Sequence, residues 1–412
     1  MLLQFTIENV LSFADEQVLS FLAADGEHHR PGQVIEVPGV GGVLRSVVVY
    51  GANASGKSNL ISALGHLRAL VWEGTPPGGR IGVPPFRQRS ECLSRPRRLQ
   101  IDLIAGDTRR YSYGLEVLPQ EVVSEWMFVD DAPVFERHGR SVKWSSGDLT
   151  VRADFLRFVA EGTRPEQTLI AELRARAAAE FTPFAEAIAK VGINDAMFTA
   201  PSPEAVAAWG LYDPEHLGAC IELLNRADTG IVDAGFAGVT AEQRGKARTD
   251  RGYAESLAKS GARVVFVPEG ADEHSGLQLG ELSDGTRRLL WLAHLAFISG
   301  SFGTLCLDEI ERSMHTQLAA FLVGELEATS PTTQFLFTTH DTNLLDADLF
   351  RRDGIWFVDK DRRGASRLYS LVEFDREQLD GLQGRMEEGY LQGRFGAIPR
   401  LRPDGAAGFK AS

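Results

Sequence analysis

Apolar and polar residues alternate along Leu3–Ile7 and Val18–Leu22, the pattern of two short strands. A β-branched run, Val47-Val48-Val49-Tyr50, follows and ends in a Gly-rich stretch. An amphipathic segment from Asn59 to Val71 comes next. The order is therefore strand, loop, helix. Gly and Pro are dense from Gly74 to Pro85 and break the chain there. Strand-like runs then occupy Leu99–Ile104, Arg110–Val117, Val122–Val129, Pro133–Arg137 and Ser141–Trp144, with turn residues at Gly106-Asp107 and Gly139-Arg140. They predict an antiparallel meander covering the helix. From Val151 to Lys190 the spacing becomes helical, with apolar residues three and four apart (Leu169, Ile170, Leu173, Ala177). Pro214–Arg226 is a second helical stretch. Ala234–Gly261 is polar and weakly periodic, which predicts a mobile loop, and Val264–Val267 returns to strand. Two further apolar strands, around Leu305–Leu307 and Phe335–Thr339, flank a helix over Ser313–Ala328. There is no internal repeat and no long heptad array, so no coiled-coil arm is expected. The pattern predicts an α/β protein: an N-terminal lobe over 1–150, a mainly helical insertion over 151–262 and a C-terminal lobe over 263–412.

Composition changes this picture little. The chain has 412 residues, 43% hydrophobic and 24% charged, as in ordinary soluble globular proteins. Its net charge of −13 argues against a surface that binds nucleic acid everywhere. A local basic cluster remains: Arg87, Arg89, Arg95, Arg97 and Arg98, with Arg109 and Arg110 close behind. Without interleaved aromatic residues it reads first as a solvated hairpin face and second as a DNA contact. Cys92, Cys220 and Cys306 are scattered and odd in number, with no CxxC pair, which fits a reducing cytoplasm rather than a disulfide framework or zinc site. The N-terminus lacks a signal-peptide pattern and no apolar run reaches membrane-spanning length, so a cytoplasmic protein without a membrane partner is expected.

The chemistry lies in a few short phrases. Gly51-Ala52-Asn53-Ala54-Ser55-Gly56-Lys57-Ser58, between a strand and a helix, has the composition and context of a phosphate-binding loop. Glycines let backbone N–H groups close around an anion, and the helix N-terminus adds its dipole. Lys57 would reach the β- and γ-phosphates of a nucleoside triphosphate, and the Ser58 hydroxyl would ligate Mg²⁺. Gly51, Asn53, Ser55 and Gly56 of the loop, with Asn59 on the helix, complete the candidate nucleotide ligands. Leu305-Cys306-Leu307-Asp308-Glu309 is an apolar strand ending in two carboxylates, the Walker B pattern. Asp308 would hold the Mg²⁺ hydration shell and Glu309 would orient and deprotonate the attacking water. The next strand ends in His340, a position usually structural for a lone histidine, but strand, helix, strand, histidine is the order in which one P-loop ATPase class places a γ-phosphate contact. Ser283 and Gly285 open a helix and present a hydroxyl and N–H groups to an anion, or Ser283 is an ordinary N-cap. Glu311 and His315 either touch a dimer interface beside the acidic pair or are a helix-start acid and a satisfied histidine.

In this order the Walker A loop, an LSxG-type signature (Leu282 to Gly285), Asp308-Glu309 and His340 resemble the ABC class of ATPases. The opening Phe5 to Phe13, with its N-x-x-S-F turn, is similar to the SMC/RecF/OLD-like branch. Closer still, Leu282–Arg288, Asp308–His315, Thr338–Leu345 and Tyr390–Pro399 resemble bacterial RloA-like and AriA-like ATPases. The resemblance implies a P-loop NTPase of ABC type that binds ATP and Mg²⁺ and hydrolyses the ATP. It further implies that ATP is sandwiched between subunits, the loop of one facing Ser283 and Gly285 of the other. A homodimer or larger even homo-oligomer follows. These relatives sit in anti-phage modules with a separate effector protein, so a switch or sensor ATPase is expected. A DNA-binding ATPase of RecF or SMC kind is the alternative. About seventy residues follow His340, too few for the TOPRIM domain of OLD nucleases, so phosphodiester cleavage is not expected. Gln88 lies in the region of the class's Q-loop glutamine.

Overall fold

The computed structural model describes residues 1–25, 32–145, 153–194, 201–271, 275–345, 349–374 and 386–397. Strands β1 (Leu2–Glu8) and β2 (Gln17–Ser20) form one hairpin, and β3 (Val34–Val37) and β4 (Gly41–Leu44) another. Strand β5 (Ser46–Tyr50) then runs through the loop into helix α1 (Lys57–Trp72). After the short helix α2 (Ser90–Ser94) come β6 (Arg97–Ile104), β7 (Arg110–Leu118), β8 (Glu121–Val129), β9 (Ala132–His138) and β10 (Ser141–Trp144). These five pair as the predicted meander and add to the first hairpin, giving a seven-stranded antiparallel sheet of order β10-β9-β8-β7-β6-β1-β2.

Helices α3 (Ala153–Gly162), α4 (Leu169–Ala175) and α5 (Thr182–Ala189) follow, then a four-residue strand β11 (Val191–Asn194). Beyond it lie α6 (Pro203–Tyr212), α7 (Pro214–Arg226), β12 (Ile231–Ala237), α8 (Ala241–Ala247), α9 (Arg251–Lys259), β13 (Arg263–Pro268) and β14 (Leu277–Gln278). The last part carries α10 (Asp284–Ile298), β15 (Thr304–Leu307), α11 (Thr316–Thr329), β16 (Gln334–Thr339), β17 (Ile355–Lys360) and β18 (Ser366–Ser370). A six-stranded sheet of order β11-β15-β16-β5-β17-β18 forms the centre, parallel except for β18.

This central sheet is covered on both faces, which is why the middle positions of β5, β15, β16 and β17 are apolar on both sides. Because successive side chains point to opposite faces, Val47, Val49, Cys306 and Leu336 enter one core with Leu60, Leu64 and Leu67 of α1 and the antiparallel sheet. Val48, Tyr50, Leu307 and Phe337 enter a second core with Leu289 and Leu292 of α10 and Leu322 of α11. Helix α1 is thus packed between the two sheets, as the meander reading requires. The molecule is a mixed α/β fold in which a largely parallel sheet and an antiparallel meander enclose the helix that follows the Gly-rich loop.

One buried ion pair ties the meander to α4. The Glu125 carboxylate accepts from Tyr113 Oη at 2.9 Å, Arg137 Nη1 at 3.2 Å and the backbone N–H groups of Leu169 and Ile170 at 2.7 and 3.0 Å. The last two are orphan donors of a helix start, so a distant strand caps this helix. Both ionic side chains are almost fully buried. Glu125→Ala would leave Arg137 without its counter-charge and is expected to cost about 3–5 kcal/mol of stability in denaturant unfolding. A loss below ~1 kcal/mol would show that water replaces the carboxylate there.

Two segments differ from the sequence expectation. Residues 234–261 are not a loop: they carry the second half of β12, then α8 and α9, closed over a small core of Leu211, Ala247, Ala254, Leu257 and Ala262. These helices have 7 and 9 residues, too few to show a period, but their caps are explicit. Thr240 and Gln243 form a reciprocal capping box and Asp250 accepts from Tyr253 N at 2.9 Å. The segment 151–262, expected to be mainly helical, also supplies β11 to the central sheet, pairing with β15 in parallel. Val151 lies outside the described residues. All three cysteines are free and buried. No helix among the described residues is long and apolar enough to cross a membrane.

Candidate functional site

The loop after β5 bends in a way that needs Gly56: its φ is 125°, and a Cβ there would come within 2.3 Å of Ser366 Oγ. Ser366, on β18, supports the loop from behind. Its hydroxyl donates to Ser55 O at 2.5 Å and accepts from the Ser12 hydroxyl at 2.8 Å, and its N–H donates to Ser12 O at 2.7 Å. Ser12 belongs to the N-x-x-S-F turn. In that turn Asn9 is buried, and its Nδ2 donates to the carbonyls of Cys92, Arg95 and Pro96 at 2.8, 3.0 and 3.1 Å. The opening turn thus braces the phosphate loop.

Lys57 is 6% exposed and donates to Gly51 O at 2.6 Å and Ala52 O at 3.2 Å. Burial pushes its ammonium below the ordinary lysine range, while Glu311, Glu309 and Asp308 oppose that shift. Ser55 Oγ is buried without a partner. Asn53 and Ser58 are exposed on the rim and Asn59 is half-buried.

Register brings the other phrases to the same edge. Thr339 pairs with Tyr50, so His340 emerges beside Gly51; Leu307 pairs with Phe337, so Asp308 emerges beside Thr338. The carboxyl ends of adjacent parallel strands form a crevice, the usual ligand position in such sheets. Asp308 is buried and accepts a hydrogen bond from Thr338 Oγ1, which in turn accepts from Glu309 N at 2.9 Å. Arg288 of α10, fully buried, donates to Asp308 O at 3.0 Å and Glu309 O at 2.8 Å. Glu309 has φ 47°, a left-handed conformation that a non-glycine residue rarely adopts. Its side chain is 32% exposed and lies 3.7 Å from Arg312. Asp308 N donates to Asn194 O at 3.1 Å, and Asn194 Oδ1 accepts from Trp291 Nε1 at 3.1 Å, so β11 and α10 both touch this strand end.

Glu311 contacts His340 of its own chain, whereas His315 follows the satisfied-histidine reading. Glu311 accepts from the backbone N of His340 at 2.8 Å and lies 2.7 Å from its Nδ1. His315 is the N-cap of α11, accepting from Gln317 N at 3.3 Å, a satisfied histidine.

Ser283 is the N-cap of α10, accepting from Thr286 N at 3.1 Å. Gly285 is required by close approach: a Cβ would lie 2.5 Å from Ser313 O. Among the described residues no hydrogen bond or ion pair joins either to the Gly51–Asn59 loop of the same chain. Gln88 is exposed and lines a groove of about 400 Å³ with Ser12, Asn59 and Lys360. The arginine cluster is largely neutralised: Arg89 meets Asp15 and Asp361, Arg98 meets Glu16, Arg95 meets Glu8, and Arg109 and Arg110 meet Asp130 and Asp131.

Residues 46–160 and 224–346, more than half of the chain, match the protein-family model described as "AAA domain, putative AbiEii toxin, Type IV TA system". The chain belongs to this family. The match takes in the phosphate loop, the Asp308-Glu309 strand and His340. It leaves out 161–223, which holds α4 to most of α7. Among solved structures, the chain is similar to an SMC head bound to the C-winged helix domain of ScpA, at 13% identity and TM-score 0.47, over 90% of this chain and 97% of that one. It is also similar to the SMC head domain from Thermotoga maritima, at 14% identity and TM-score 0.41, over 90% and 98%. A third similarity is to an Smc head domain with an extended coiled coil bound to the C-terminal domain of ScpA from Pyrococcus furiosus, at 13% identity and TM-score 0.42, over 93% and 99%. No curated protein matches the sequence.

Sequence reading did not single out Arg288, Thr338, Asn194 or Ser366. Arg288 and Thr338 stand inside the quoted phrases and were within reach. Asn194 and Ser366 carry no local signal.

Proposed function

We propose that the chain binds ATP with Mg²⁺ and hydrolyses it, acting as a switch ATPase that controls a separate effector. The observation that carries this reading is the convergence of Lys57, Asp308, Glu309 and His340 at the carboxyl ends of three adjacent strands, β5, β15 and β16.

The residues fit the nucleotide. Ser55 Oγ is a buried hydroxyl without a partner, Lys57 rests on carbonyls it can exchange for phosphate oxygens, and Gly56 leaves the backbone open to an anion. The Ser58 hydroxyl and Asp308 carboxylate are hard oxygen donors suited to Mg²⁺, which keeps most of its other ligands as water and phosphate. Bound Mg²⁺ would supply charge neutralisation at the transferring phosphoryl group. Glu309 would orient and deprotonate the attacking water, and His340 would contact the γ-phosphate. Thr338 and Arg288 hold the strand end so that these side chains stay in place.

Among the described residues Ser283 and Gly285, at the start of α10, make no hydrogen bond or ion pair to the loop of their own chain, which supports a site closed by a second copy. A homodimer or larger even assembly follows, closing with ATP and opening after hydrolysis. The resemblance to RloA-like and AriA-like ATPases supports an anti-phage role with a paired effector, and the family's type IV TA description is in keeping with a paired component. The ion-paired state of the arginine cluster gives the DNA-binding alternative no added support.

The test is light scattering and phosphate release on the purified chain, with and without ATP–Mg²⁺. Turnover together with an ATP-dependent rise to an even assembly is expected. An ATP-indifferent monomer without turnover would refute the trans-closed site.

A further inference from the structure

We infer that Glu311 is a positioning residue that fixes the His340 imidazole for its contact with the γ-phosphate; this rests on the ATPase reading above. Oε1 of Glu311 meets two groups of His340, the backbone N–H at 2.8 Å and ring Nδ1 at 2.7 Å. A carboxylate can only accept here, so the proton sits on Nδ1 and the ring is held with Nε2 on its far edge. The burial of the two side chains is opposite in kind: Glu311 is 6% exposed, whereas the His340 side chain is 50% exposed. An anchored carboxylate therefore holds a ring that reaches into the crevice.

The anchor is itself rigid. Arg312 N donates to Glu309 O and Met314 N to Glu311 O, each at 3.0 Å, and Ser313 adopts a φ of 62°. This turn places Glu311 over the end of β16. Its second oxygen, Oε2, is buried without a partner, and Glu311 is the largest of the carboxylate charges acting on Lys57. The carboxylate thus meets the histidine directly and acts on the lysine only through its charge. Nothing in the acid-pair motif requires an acid at 311; the contact crosses 29 residues. For histidines that ligate metals, the partner that takes the second ring N–H matters by about 10–100-fold in affinity or activity, and the same orienting role sets the scale expected at His340.

Glu311→Ala is expected to lower kcat by ~10–100-fold, with the affinity for a fluorescent ATP analogue within about threefold of wild type. Glu311→Gln keeps an acceptor for both His340 groups and should recover most of the rate. Because Glu311 acts through His340, the double variant Glu311→Ala/His340→Ala should be no slower than His340→Ala alone. A product of the two losses, or no rescue by glutamine, overturns the inference. A second readout needs no turnover: ¹⁵N-histidine NMR should show His340 as the Nδ1–H tautomer in wild type and Glu311→Gln, and lose that preference in Glu311→Ala. An unchanged tautomer in Glu311→Ala sinks the positioning role. The tautomer change without phosphate release from any variant or wild type would keep the positioning and refute the ATPase reading.

Discussion

Glu309→Gln is expected to cut phosphate release by roughly 10²–10⁴-fold while ATP–Mg²⁺ binding persists, because an amide keeps the carboxylate's shape but accepts no proton. The geometry favours a clean substitution. The Glu309 backbone is held by Thr338 Oγ1 at 2.9 Å and by Arg288 at 2.8 Å, so its left-handed turn does not depend on the side chain. The partly exposed carboxylate pairs only loosely with Arg312, at 3.7 Å, which leaves it available to a water in the crevice. With hydrolysis blocked, the ATP-closed assembly should accumulate and appear in light scattering at twice the wild-type nucleotide-free mass or an even multiple of it. Hydrolysis at the wild-type rate would remove Glu309 from the role of base.

Lys57→Ala should lose nucleotide binding rather than turnover alone. A hydrogen bond to a charged partner contributes about 1.5–3 kcal/mol, which is ~10–150-fold in affinity. The same change has a second consequence. Holding an ammonium in this buried loop is costly, as its depressed basicity shows, and the three nearby carboxylates offset the cost only in part. The nucleotide-free variant should therefore be no less stable to heat than wild type. ATP–Mg²⁺ should raise the Tm of wild type by linkage, and at a concentration near the wild-type Kd it should leave that of Lys57→Ala almost unmoved. An equal Tm rise in both would show that the nucleotide binds elsewhere.

The contrast between these two residues and Glu311 shows how far the site was legible. Lys57, Asp308 and Glu309 stand next to short runs whose strand or helix character is set within a few residues, and their chemistry needs that local backbone. His340 was legible for the same reason, as the end of an apolar strand. For Glu311 the sequence offers an interface contact or a helix-start acid and gives no sign of the histidine it meets 29 positions away, because an acid beside a turn looks the same in each case. Arg288 has no assigned role in the sequence reading: it follows the signature phrase, yet it holds two carbonyls 20 and 21 residues on.

The sequence by itself determined the Gly-rich loop between strand and helix, the meander, the acid-bearing strand and helices such as α7, whose bounds match the predicted Pro214–Arg226. Each depends on period, turn residues or caps within a dozen positions, so local physics suffices. Only the tertiary structure decided that β11 joins the central sheet, that 234–261 folds over its own small core, and that Ser366 braces the loop across 311 residues. A four-residue strand and two helices of 7 and 9 residues have too little local stabilisation to announce themselves. They exist because a neighbouring strand or a shared apolar pocket completes their hydrogen bonds and burial, and those partners are distant in the chain.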